Sequence, residues 1–230
     1  MLEATVRAET RGPYVLLSAA MSADGYIDDA SGTRLVLSDA ADLDQVDALR
    51  AASDAILVGA QTIRSDNPRL QVASAARRAE RVARGEPPSP QKVTITSGGD
   101  LDAGSRFFAD STPLVYTAAG AADSLRARLG AVATIVPVPG TGRLYLGWLL
   151  ADLVARGVRR LLVEGGAVVL GQFLAAGLAS EFRLAIAPVY VGDPAAPRLL
   201  AGGLPAGRLH LAGVSQVGQM AVLRYLPASG

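Results

Sequence analysis

The residues with the clearest chemical potential lie in the run Leu161-Leu162-Val163-Glu164-Gly165-Gly166-Ala167-Val168-Val169-Leu170-Gly171. A short apolar stretch of strand character ends in a carboxylate, and two glycines turn the chain into a segment with helical spacing. A strand, a Gly-Gly turn and a helix start leave backbone N–H groups open and present the positive end of a helix dipole, a setting that holds phosphate. Glu164 falls at the C-terminal end of the strand, where open α/β sheets bind ligands. This pattern points to an enzyme using a phosphorylated cofactor. A tight structural turn explains the two glycines equally well, because neither G-x-G-x-x-G nor the Lys-Ser/Thr of a P-loop is present.

A second candidate is Gly59-Ala60-Gln61-Thr62-Ile63-Arg64-Ser65-Asp66-Asn67-Pro68-Arg69-Leu70, which follows another apolar run. Hydroxyl, carboxylate, amide and guanidinium groups crowd a strand end, the usual place for ligand contacts. An Asp-Asn-Pro turn capped by Asp66 is the plainer account. In Ser22-Ala23-Asp24-Gly25 a simple Asp-Gly turn is the stronger reading. Arg50, near the end of an expected helix, suits either the helix dipole or an anion, with the dipole slightly favoured.

The elements that must position these groups follow from periodicity. Strands are expected at Tyr14 to Ala20, Ala55 to Gly59, Lys92 to Thr96, Leu114 to Thr117, Ala133 to Val136 and Arg160 to Glu164. Helices are expected at 39–52, with Ser38 as N-cap and Leu43, Val46 and Leu49 on the buried face, at Ser124 to Leu129, at Leu144 to Arg156 and at 167–177. Residues 60–70 read as a polar loop and 73–90 as an exposed excursion without period. Phe182 to Val191, Arg208 to Val214 and Ala221 to Leu226 are strands with no helix between them, so antiparallel pairing is expected there. The expectation is one α/β domain over 13–230, a three-layer α/β/α sandwich with a mixed, mostly parallel sheet, preceded by a flexible N-terminus at 1–12.

Composition narrows the function. The 230 residues are 50% hydrophobic but only 5% aromatic, which suits a Val, Leu, Ile and Ala core covering both faces of a sheet. A net charge of +1 without a basic stripe argues against nucleic acid. The absence of cysteine removes disulfides, thiol catalysis, thiolate zinc sites and the zinc deaminase signature. No metal site is expected. The one histidine, His210, sits in an alternating run and reads as a solvated strand residue rather than a catalytic one. No run approaches the roughly 18–20 apolar residues of a membrane span, and the N-terminus lacks signal-peptide character, so a soluble cytoplasmic protein is expected.

Taken in chain order, these segments resemble the reductase domain of the bacterial riboflavin-biosynthesis deaminase/reductase, within the dihydrofolate-reductase-like superfamily. The marks run from about Pro13 to Leu226: Pro13-Tyr14-Val15, Ser22-Ala23-Asp24-Gly25, Leu49-Arg50-Ala51, Asp54 to Gly59, Thr62 with Asp66-Asn67-Pro68-Arg69-Leu70, Val163-Glu164-Gly165-Gly166, Gly177-Leu178 and Ala187-Pro188. The resemblance implies a dihydrofolate-reductase-like fold that binds NADPH and reduces the ribosylamino group of a phosphorylated aminopyrimidine to ribitylamino. Carried over by position, Ala20, Val36, Thr62, Asp66, Ser97, Gly165, Gly166, Ala167, Val168, Val169, Leu170, Gly171 and Gln172 would contact NADPH. Arg34, Arg50, Leu70 and Glu164 would contact substrate, with Asp66 handling a proton on the opening ribose and Glu164 orienting the pyrimidine. A homodimer joined at the strand-rich C-terminal end is expected, as is a stand-alone reductase, since no deaminase signature is present.

The sequence also departs from the pattern. Ser18 stands where a lysine is common, Ala73 where an arginine helps hold the substrate, Ser180 where an aspartate precedes Glu181, and Arg34 where a smaller polar residue is usual. A reductase of the same fold acting on another pterin or pyrimidine therefore stays open, as does a nucleotide-binding protein without catalysis.

Overall fold

A computed structural model describes residues 12–29, 31, 35–139, 146–200 and 207–227. In chain order the main elements are β1 (Tyr14–Ser22), α1 (Ala40–Ala51), β2 (Ala55–Gly59), α2 (Ala60–Asp66), α3 (Ala75–Ala83), β3 (Gln91–Thr96), β4 (Leu114–Ala118), α4 (Ala122–Leu129), β5 (Thr134–Val138), α5 (Leu146–Ala155), β6 (Arg160–Val163), α6 (Ala167–Ala175), β7 (Glu181–Ala187), β8 (Leu209–Val217) and β9 (Met220–Pro227). One nine-stranded sheet runs in the order β5-β4-β3-β2-β6-β1-β7-β9-β8. The first seven strands of that order are parallel, and β9 and β8 close the end as an antiparallel hairpin.

Strand alternation divides the core into two. Val15 and Leu17 of β1, Leu57 of β2, Val93 of β3 and Val163 of β6 face one side, where Leu149 and Leu153 of α5 and Phe173 of α6 cover them. Leu16, Ile56, Val58 and Leu162 face the other side, under Ile63 of α2 and Leu125 and Leu129 of α4. Each central strand is buried on both faces, so its sequence is a nearly unbroken apolar run. The result is the expected three-layer α/β/α arrangement with a mixed sheet.

Several local expectations change. Residues 60–66 are helical, because Ala60 and Ile63 bury one face of α2 while Gln61, Arg64 and Ser65 stay outward. Asn67, in left-handed backbone with φ 44°, ends that helix just before Pro68. Within 73–90, Ser74 caps the helix α3, which packs on α1. In α1 the cap is Asp39, not Ser38: its carboxylate accepts from the Asp42 N–H. The buried face of α1 carries Asp42 and Asp47, while Leu43 is 52% exposed. A carboxylate face can be buried here because each acid finds a cationic or N–H partner. Strand β7 stops at Ala187, ahead of Pro188, rather than reaching Val191. His210 is exposed in β8, the edge strand. Among the described residues no helix is long and apolar enough to cross a membrane.

Candidate active site

The chain leaves β1, skips a position to β2, builds outward to β5, and returns so that β6 fills the gap between β2 and β1. Strand order reverses there, and parallel sheets bind ligands at the carboxyl ends of such a switch point. A cleft of about 1520 Å³ opens at that place. Single drug-sized ligands occupy pockets of roughly 300–1,000 Å³, so this one has room for a dinucleotide beside a second molecule.

Two turns form its floor. The pairing of β2 with β6 continues past the strands, with Glu164 N–H donating to Leu57 O at 3.0 Å and Gly59 N–H to Gly165 O at 2.8 Å. The turn after β6 and the start of α2 are thereby clamped together. Gly165 lies at φ 119°, a region that disfavours any side chain, and the peptide joining it to Gly166 is cis. Gly166 caps α6 without any side-chain hydrogen bond to the first-turn amides. A Cβ on Gly166 would lie 3.1 Å from Thr62 Oγ1, and one on Gly59 only 2.9 Å from Val169 Cγ2. The glycines are what let the starts of α2 and α6 meet at the cleft. The uncapped α6 start with its glycine cradle fits an anionic cofactor phosphate.

Beside this floor, Arg50 makes a fork to Glu164: Nε donates to Oε1 at 2.7 Å and Nη2 to Oε2 at 2.6 Å. Nη1 reaches the carbonyl of Gln71 at 3.3 Å. Burial disfavours the arginine's charge, but hydrogen bonding and attraction from Glu164, aided by Asp47, outweigh it and raise its pKa. Helix α1, which carries Arg50, is itself fixed along its length. Asp42 forms a buried ion pair with Arg183 of β7, and Asp47 accepts from the amides of Ala73 and Ser74. At its far end, Arg81 of α3 donates to the carbonyls of Ala51 and Ser53, each at 2.8 Å. Asp39 holds the Gln219 N–H at the tip of the β8–β9 hairpin, at 2.7 Å.

The Ser22–Gly25 turn does more than reverse the chain. Ser22 Oγ donates to Asp24 at 2.5 Å and accepts from Tyr26 N–H, while Asp24 accepts from the amides of Val191 and Gly192. The Ser22 hydroxyl, the largest influence, together with the Gly192 and Val191 amides outweighs the cost of burial and holds the Asp24 carboxyl at about 2. That anchor keeps the carboxyl end of β1 beside the cleft.

With that geometry in place, comparison with known proteins is decisive. The model of the RibD C-terminal domain family matches residues 13–223. The chain belongs to that family. It is 33% identical over 207 residues to an Archaeoglobus fulgidus protein named 2,5-diamino-6-ribosylamino-4(3H)-pyrimidinone 5′-phosphate reductase, covering 90% of this chain and 94% of that one. A protein of the same name from Methanothermobacter thermautotrophicus is 37% identical over 191 residues, covering 83% and 84%. Among solved structures, a pyrimidine reductase-like protein of Corynebacterium diphtheriae superposes with a TM-score of 0.82 at 25% identity, covering 95% of this chain and 93% of that one.

In this RibD C-terminal domain protein the cleft gathers most of the expected residues: Ala20, Thr62, Asp66, Ser97, Glu164, Gly165, Gly166, Ala167, Val168, Val169, Leu170 and Gln172 all line it. The Gly166 bend and Asp66 therefore share one pocket. Four expected contacts stand elsewhere. Gly171 is buried in α6, and Val36 points to solvent at 65% exposure. Leu70 is buried in the core beneath α2, and Arg50 stands behind Glu164. Arg34 lies outside the described residues.

The cleft also has walls the sequence reading did not name. Gly98, Gly99 and Asp100 follow β3, and Leu146 and Gly147 open α5, while Gln61 and Arg64 of the polar run already singled out project from α2. The pair Gly98-Gly99 after an apolar strand repeats the signal that drew attention to Gly165-Gly166, and could have been read the same way.

Proposed function

We propose that this protein is an NADPH-dependent reductase of riboflavin biosynthesis. Its substrate would be 2,5-diamino-6-ribosylamino-4(3H)-pyrimidinone 5′-phosphate or the deaminated uracil counterpart, and its product the ribitylamino compound. The observation that carries this reading is the convergence, at one switch-point cleft, of an uncapped helix start, Asp66 and an arginine-held Glu164. The relatives named for this reaction supply the substrate class.

NADPH, when bound, would supply the hydride that adds to C1 of the ribose in its ring-opened, protonated imine form, in which the nitrogen keeps its proton and becomes the neutral amine. The first turn of α6 holds cofactor phosphate through backbone amides. Asp66 delivers a proton to the ribose ring oxygen as the C1–O bond breaks, which general acid–base catalysis makes worth roughly 10²–10⁴ in rate. Glu164, fixed by Arg50, accepts from N–H groups of the pyrimidine and orients C1 toward the cofactor.

One observation favours a second reading. The Arg50 guanidinium is engaged by Glu164, and Ala73 stands where the resemblance places a substrate-holding arginine. A related pyrimidine or pterin without the 5′-phosphate would need neither. NADPH oxidation measured with the diamino substrate, the uracil counterpart and dihydrofolate separates these readings. Turnover of either phosphoribosyl compound is expected, and turnover of dihydrofolate alone would replace the proposal. Asp66→Asn is expected to lower kcat by roughly 100-fold or more, and near-normal turnover would remove the role given to Asp66.

The same reading includes a homodimer. Strand β8 presents an edge unpaired among the described residues and exposed Leu209, Leu211 and Val214, a surface suited to isologous pairing.

A further inference from the structure

The charged side chains lining the cleft are Asp28, Arg64, Asp66, Asp100 and Glu164, so Arg64 is the one cation among the described residues there. Arg50, a second described guanidinium near the site, is neutralised by Glu164. Arg64 is held differently. Nη2 donates to Gln61 Oε1 at 2.7 Å and Nη1 to the Asp100 carbonyl at 3.1 Å. Both acceptors are neutral, so these contacts aim the guanidinium without cancelling its charge. Its side chain is exposed, and an exposed cation held by one bond within α2 and one to the turn after β3 has little structural work to do.

Its place along the rim is also informative. The order β3-β2-β6-β1 sets out, side by side, the Ser97–Asp100 turn, the start of α2, the Gly165–Gly166 turn and Ala19 with Ala20. Arg64, on α2, reaches through Nη1 to the turn after β3, on the side of β2 away from β6 and Glu164. A dinucleotide whose pyrophosphate rests at the α6 start, with its reactive ring toward Glu164, turns its adenosine half toward β3.

We infer that Arg64 is the residue that selects a 2′-phosphorylated dinucleotide, binding the adenosine 2′-phosphate beside Ser97 and thereby setting NADPH over NADH. The inference rests on the nicotinamide-cofactor reading above and adds to it the group that discriminates. A guanidinium presents its donors as a planar fork that matches phosphate oxygens, and its charge offsets the Asp100 carboxylate on the same turn.

The test is direct binding, by calorimetry without substrate, of NADPH, NADH, 2′-AMP and 5′-AMP to the wild type, Arg64→Ala and Arg64→Lys. The wild type is expected to bind NADPH roughly 10- to 100-fold more tightly than NADH, and 2′-AMP more tightly than 5′-AMP. Arg64→Ala should remove both preferences by weakening only the 2′-phosphorylated ligands, and Arg64→Lys should keep part of them. An alanine variant that retains the preference overturns the inference, as does one that weakens NADPH and NADH equally, which would assign Arg64 to the pyrophosphate. Failure of the wild type to bind either dinucleotide would instead bring down the cofactor reading, and this inference with it.

Discussion

Glu164 is 12% exposed, and both its oxygens are taken by Arg50, itself 24% exposed. Arg50→Met keeps much of the side-chain volume but leaves a largely buried carboxylate without its partner. Breaking a fully buried pair costs roughly 3–5 kcal/mol. Partial exposure of the guanidinium reduces that here to about 2 kcal/mol. A chain of this size should then melt about 4–8 °C lower, measurable by calorimetry. Turnover should suffer mainly through KM, since the displaced Glu164 no longer meets the pyrimidine squarely. Adding Glu164→Gln to Arg50→Met should restore much of the melting temperature but none of the activity. If the double variant melts no higher than the single one, the pair is not what holds this corner.

At the scale of elements, the turn after β1 and the two glycine turns make separate demands. Asp24 has its carboxyl lowered to about 2 from 3.8, so it stabilises the fold fully above pH 3.8. That contribution fades as pH falls toward 2, where the carboxylate protonates in the folded state too. Asp24→Asn should therefore lower the urea midpoint at neutral pH, and its difference from the wild type should be mostly lost by pH 2 and vanish only below it. At the cleft floor, Gly59→Ala drives a methyl against Val169, and overpacking of this kind costs roughly 1–3 kcal/mol. Val169→Ala in the same chain should recover most of that loss, a coupling that a double-mutant cycle would measure.

These same elements show what the sequence discloses and what it withholds. The central strands were legible because burial on both faces forces unbroken apolar runs, and α6 because glycines and helical spacing adjoin. Helix α2 was hidden because only Ala60 and Ile63 of its seven residues face the core, too few to set a period. The buried face of α1 misled because Leu43 of its apolar stripe points outward, and contacts with Arg183, Arg77 and the Ala73 and Ser74 amides explain why Asp42 and Asp47 turn inward. Arg50 was legible as a residue that mattered but not as the partner of Glu164, which lies 114 positions away. Arg64 was one polar residue among several until the cleft showed that every other charged wall among the described residues is acidic.

For the whole molecule, the sheet ends in opposite ways. β5 closes one side with Pro137 in its edge, while β8 leaves the other open and apolar. Val214, 65% exposed on β8, is the natural place to interrupt pairing between copies. Val214→Arg should convert a dimer into a monomer by light scattering, without changing the fold. A wild type that is monomeric throughout would dismiss the dimer.

The central position of β6 has a further outcome. Tyr14 lies against Arg160 and Ala55 against Leu161, so this strand slots between neighbours synthesised long before it. Until it emerges from the ribosome, the newborn polypeptide holds a vacant furrow with two bare edges, and contacts of such long range form slowly. Nascent chains arrested short of this strand should be sensitive to proteases and seek chaperones, and the capacity to grip a nucleotide should arise abruptly once it docks.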